Sequence, residues 1–181
     1  KKGPFGYGQQ NFIPVTGQLA YQINFENKST ATAPAQEVFV TDTLDSPLYD
    51  LKNFSFGPVA FSDSTFYPVS NTYEFGMESD LRPLKNAIVR MTGQLDTLTR
   101  IISWEFRTLD PITRDLVTDP LGGFLPPNLA SPEGEGFVSF SVELKTVEHM
   151  DAISNSASIV FDLNPPIITN AFLNTFDMKA P

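Results

Sequence analysis

Oxygen-bearing side chains crowd one stretch of this sequence: Asp110, Asp115, Asp119, Asn128, Glu133 and Glu135, with the Thr113 hydroxyl among them. Calcium takes about 6–8 oxygen ligands, tolerates irregular loops and accepts backbone carbonyls. Ca²⁺ is therefore the ion expected here, as a brace for a loop that buries little. The spacing is not that of an EF-hand, because the required glycine and the terminal glutamate are missing. The competing reading is plainer: Asp110 and Asp119 cap turns ahead of Pro111 and Pro120. Asp162 and Asn164 also open like a calcium loop, but Pro165 and Pro166 interrupt it, so a turn that ends a strand fits better.

Catalytic constellations are sparse. His149 is the only histidine, which excludes two-histidine metal sites, and no G-x-S-x-G presents a nucleophile. Glu133 and Glu135 could serve as a glycosidase pair only if the fold set them across a cleft. Trp104, with Phe61, Phe66, Tyr67 and Tyr73, could build a sugar-stacking face, although Trp104 alternates with Ile102 and Phe106 as a core residue would. Gly3, Gly6 and Gly8 lack the strand and helix of a dinucleotide site and read as a bridging arm. One covalent arrangement is conceivable: a lysine–asparagine or lysine–aspartate amide across a sandwich. Lys28 or Lys145 would supply the amine, Asn155 or Asp162 the acyl group, and Glu26 or Glu105 the assisting acid.

The elements that must position these groups are strands. Leu19, Tyr21, Ile23 and Phe25 alternate with polar or small residues. Ile102, Trp104 and Phe106 do the same, as do Val138, Phe140, Val142 and Leu144. Such period-two patterns give one buried and one wet face. Weaker strands are expected at 37–41, 54–56, 70–75, 88–95, 153–161 and 167–172. No window carries a sustained 3.6-residue period. Asn27 to Thr30 is expected to close the first strand pair. Residues 109–136 hold five prolines and four glycines, which rules out a regular element and leaves a functional loop or a lid over the core edge. The expected architecture is all-β: an antiparallel β-sandwich, immunoglobulin-like, with long Pro/Gly-rich loops. Residues 1–12 read as an N-terminal arm or the entry from a preceding domain, and 13–181 as one sandwich.

Composition narrows the function classes. The 181 residues are 41% hydrophobic, enough for one core. There is no cysteine, so disulfides, thiolate metal sites and a cysteine nucleophile are excluded. A net charge of −9 disfavours nucleic acid and anionic membranes. No apolar run approaches the about 20 residues that span a bilayer.

Several segments carry a family resemblance: Phe25-Glu26-Asn27, Val40-Thr41-Asp42-Thr43-Leu44-Asp45, and the closing series Phe161, Asp162, Asn164, Pro166, Ile167, Thr169, Asn170. With these the chain resembles conserved-repeat modules of large secreted bacterial surface proteins, in the style of immunoglobulin-like adhesion repeats. The resemblance implies a non-catalytic structural or adhesion module, extracellular or at the cell surface. Its expected partners are neighbouring domains or subunits, joined through edge strands or the N-terminal arm, even as a filament. Alternatives are a glycan-binding module and an acid-based hydrolase.

Overall fold

The computed structural model describes residues 1–15 and 17–178. Among these, fourteen strands and no helix follow in order. They are β1 Phe12–Pro14, β2 Leu19–Glu26, β3 Glu37–Thr43, β4 Tyr49–Phe56, β5 Val59–Phe61, β6 Ser64–Phe66 and β7 Glu74–Asp80. Then come β8 Ile88–Asp96, β9 Ile101–Leu109, β10 Glu135–Leu144, β11 Ala152–Asn155, β12 Ala157–Phe161, β13 Ile167–Ile168 and β14 Phe172–Asp177. No helix is long and apolar enough to cross a membrane.

Two sheets face each other. One runs β2-β10-β5-β6, with β4 also paired to β10. The other runs β13-β12-β3-β9-β8-β7. The inward residues of the first include Tyr21, Ile23, Phe25, Val138 and Phe140; those of the second include Val38, Val40, Met91, Trp104 and Phe106. Rings interlock across the gap. Phe25 meets Phe106 edge-on at 5.4 Å and Phe56 meets Trp104 at 5.8 Å, while Tyr21 stacks on Phe140 at 5.2 Å within its own sheet. The all-β antiparallel sandwich is thus the fold, built by the alternation that the sequence displays.

A small third sheet, β1-β14-β11, closes one side of the sandwich. Here β1 lies parallel to β14, with Phe12 opposite Thr175 and Ile13 opposite Phe176.

Four local expectations differ from the structure, one being the strand expected over 167–172, which is only Ile167–Ile168 in β13, with β14 starting anew at Phe172. The segment after Asn27 does not close a hairpin. Strand β2 pairs with β10, whereas β3 pairs with β9 and β12. Both strands have an apolar face to bury, so they face each other across the core and Asn27 steers the crossover. Its Nδ2 donates to the Ala33 and Leu125 carbonyls, at 3.0 and 2.9 Å. The strand expected at 70–75 lies at Glu74–Asp80, because pairing with β8 overrides the weak propensity of Gly76 and Asp80. The single strand expected over 153–161 breaks at Ser156: β11 joins β14, and β12 joins β3.

The loop over 109–136 is a lid. Ala35 and Leu125 form an isolated bridge, and Phe124 and Leu125 are buried. Phe124 stacks on Phe106 at 5.8 Å and meets Phe61 edge-on at 5.1 Å.

Candidate functional site

At one end of the sandwich the core stops being apolar. Strand β3 turns Val38, Val40 and then Asp42 inward, and the third of these is 1% exposed. Strand β11 turns Ile153 and then Asn155 inward, followed by Ala157 at the start of β12. Ala157 pairs with Asp42 in the β12–β3 register, which brings Asn155 beside the same carboxylate. Lys1 completes the group from the N-terminal segment. Lys2 exchanges two backbone hydrogen bonds with Gln22 at 2.8 and 2.9 Å, so this segment adds to the outer edge of β2. Lys1 then projects inward beside Tyr21. Gly3 makes the approach possible, since a Cβ there would sit 2.8 Å from both the Phe172 and Tyr21 rings.

Lys1 Nζ donates to Asp42 Oδ2, and both side chains have zero exposure. The ammonium lies 4.9 Å from the Tyr21 ring centroid and 5.5 Å from that of Phe140. The Tyr21 and Tyr49 hydroxyls meet at 3.2 Å in the interior. The Asn155 amide sits against both Asp42 and Tyr49 and favours the ionised form of each. It does so without a well-aligned bond: Asn155 Nδ2 and Asp42 Oδ1 are both buried and unpartnered.

Burial dominates the electrostatics. Desolvation pushes the Lys1 amine below the usual lysine range, and Asp42 only partly restores it. Desolvation pushes the Asp42 carboxyl upward, against the pull of Lys1 and Asn155. Burial thus works against the charged form of both partners. Tyr21 is raised by burial to about 12, and burial raises Tyr49 strongly as well. Both phenols therefore keep their protons. The cluster sets a buried amine, a carboxyl and a primary amide together beside the Tyr21 and Phe140 rings.

The residues singled out for calcium divide into two groups. Asp110 Oδ1 accepts the Ile112 and Thr113 N–H groups at 2.8 and 2.9 Å, and Asp119 Oδ1 accepts that of Leu121 at 2.9 Å. Asp115 is exposed nearby. At the far end of the lid, Asn128 Nδ2 donates to Glu135 Oε1 at 3.0 Å and to Glu26 Oε1 at 2.8 Å. Glu133 Oε1 accepts the Leu129 and Ala130 N–H groups at 3.0 and 2.8 Å. Among the described residues, no group of three His, Cys, Asp or Glu side chains is spaced to hold a metal.

Trp104 is 1% exposed and lies in the core; of the aromatics considered for a sugar platform, Tyr67 and Tyr73 are the exposed ones, at 76% and 43%. Of the groups considered for a covalent cross-link, Asn155 is buried, but Lys28, Lys145 and Glu26 face solvent. The buried amine is Lys1 and the buried acid is Asp42. The signal for Asp42 was present in the alternation Val38, Val40, Asp42, which places a carboxylate on an inward face. Lys1 had no such signal, because the segment before β1 has no period.

Comparison with known proteins adds two likenesses. Residues 123–175 match the model of a domain of unknown function, DUF7619. The fold is similar to the collagen-binding domain from a Staphylococcus aureus adhesin, at 8% identity and a TM-score of 0.44, over 88% of this chain and 87% of that one. No curated protein matches.

Proposed function

We propose that this chain is a non-catalytic structural module that carries tension within a bacterial surface or secreted protein. The observation that supports the reading is the parallel pairing of β1 with β14. Force entering ahead of β1 and leaving after β14 pulls parallel neighbours in opposite directions along their own axes. The bonds between them are then sheared together rather than opened one at a time. Slanted, evenly spaced parallel bonds share such a load. The pair is anchored in the core, since Ile13, Thr175 and Phe176 are buried. The extracellular setting rests on the resemblance of the sequence to surface repeat modules. Neighbouring domains of the same polypeptide are the partners that such a role requires.

Single-molecule pulling tests this. With handles before Lys1 and after Met178, unfolding should need a markedly higher force than with handles on β7 and β8, an antiparallel hairpin that opens bond by bond. Equal forces in the two geometries would remove the mechanical reading.

A further inference from the structure

We propose that Lys1 Nζ and Asn155 Cγ become joined by an intramolecular amide bond that the folded chain forms by itself, with Asp42 carrying the proton. Three observations carry this. Lys1 and Asp42 have fully buried side chains in direct contact, and Asp42 also faces the Asn155 amide. Aromatic rings of Tyr21 and Phe140 flank the amine and keep water away. Asp42 Oδ1 and Asn155 Nδ2 are left without hydrogen-bond partners, although buried polar groups are rarely left so.

The step balances without any co-reactant. Lys1 passes a proton to Asp42 and becomes a neutral amine. Its lone pair attacks Asn155 Cγ, whose carbonyl is polarised by the protonated carboxyl. The bond from Cγ to Nδ2 breaks as the bond from Nζ to Cγ forms. The attacking nitrogen gives up one proton, which Asp42 relays to the departing nitrogen, and ammonia leaves. Nothing is oxidised or reduced. Holding Lys1 and Asn155 against the same carboxylate makes the reaction effectively unimolecular. Tyr49, still protonated beside the Asn155 amide, is a positioning residue.

The product also resolves the local conflict. An ion pair in a dry interior is costly to desolvate, whereas a secondary amide is neutral. The unpartnered Nδ2 departs, and the new N–H remains next to Asp42. The bond would tie the segment ahead of β1 to β11.

This proposal stands apart from the mechanical reading, and the mass measurement that decides it involves no force. The chain is purified, fully denatured and weighed intact, then digested. The expected mass is lower than that of the sequence by one ammonia, with the Lys1 and Asn155 peptides joined in one branched species. Lys1→Met and Asn155→Ala should restore the full mass, and Asp42→Asn should restore it in a protein that still folds. An unmodified wild-type mass would overturn the proposal. So would loss of ammonia confined to the Asn155 peptide, the sign of a succinimide at Asn155-Ser156. Loss of ammonia retained in Asp42→Asn would overturn the role of Asp42. If that variant fails to fold, the branched peptide of the wild type still decides whether the bond exists.

Discussion

Replacing both members of the buried pair, as Lys1→Met with Asp42→Val, separates an ion pair from a covalent brace by the sign of its effect. Both side chains are fully buried, and Val38 and Val40 precede Asp42 on the same face. Were the pair only electrostatic, apolar replacements would relieve desolvation, and the change would be neutral or stabilising by about 1–4 kcal/mol. With a bond from Lys1 to Asn155, the same double variant loses the constraint on the unfolded chain. Closing a loop of this length is worth about 5 kcal/mol in the chain-entropy description. For a chain of this size that corresponds to a melting point lower by about 10–20 °C. Calorimetry of wild type and double variant at neutral pH reads the difference. A double variant that melts at or above the wild type would refute the covalent reasoning.

Further outcomes follow from the same geometry. Asn27→Ala removes the Nδ2 donor from the half-buried Ala33 carbonyl and one of two donors from the Leu125 carbonyl, which keeps the Ala35 N–H, and should cost about 0.5–1.5 kcal/mol in urea unfolding with an unchanged slope; no loss would mean that the crossover holds without it. Stability should fall on acidification below 3.8, because Arg82 holds the Asp80 carboxyl at about 2 and backbone N–H groups hold Asp110 below its ordinary value. The sign follows from linkage: between those values the unfolded chain binds more protons, so melting points should drop from pH 4 towards 2, and a flat profile would contradict it. Calcium and a chelator should give equal melting points, since Asp110, Asp119 and Glu133 already serve the N–H groups of their own turns. A higher midpoint with calcium would show that the loop holds the ion.

The sequence made the sandwich legible wherever a strand had one wet face. Strand β2 is bounded as its alternation suggests, because every second residue from Leu19 to Phe25 is apolar. The β5–β6 hairpin was not legible, since three-residue strands around Ser62-Asp63 show no period. The split at Ser156 depends on which neighbour each half finds, and pairing partners far along the chain leave no local trace. The cluster was half legible. Asp42 and Asn155 break apolar alternation on inward faces, as Val38, Val40, Asp42 and Ile153, Asn155, Ala157 show. Lys1 reaches them only through tertiary packing. In the acidic loop the directions of the side chains were not legible, since proximity in sequence says nothing of direction: Asp110, Asp119 and Glu133 turn back to cap their own backbone.

The length released on pulling tests the central claim most directly, because it reports which residues the load can reach. With a bond from Lys1 to Asn155, force passes from Lys1 directly to β11 and reaches β14 without running through β1, which then resists only as the paired neighbour of β14. Only the residues after Asn155 can extend, about 90 Å when fully drawn out. Without it, the whole chain pays out, about 600 Å. The account predicts the short release in the wild type and the long one in Lys1→Met. A wild type that releases the full length would contradict it.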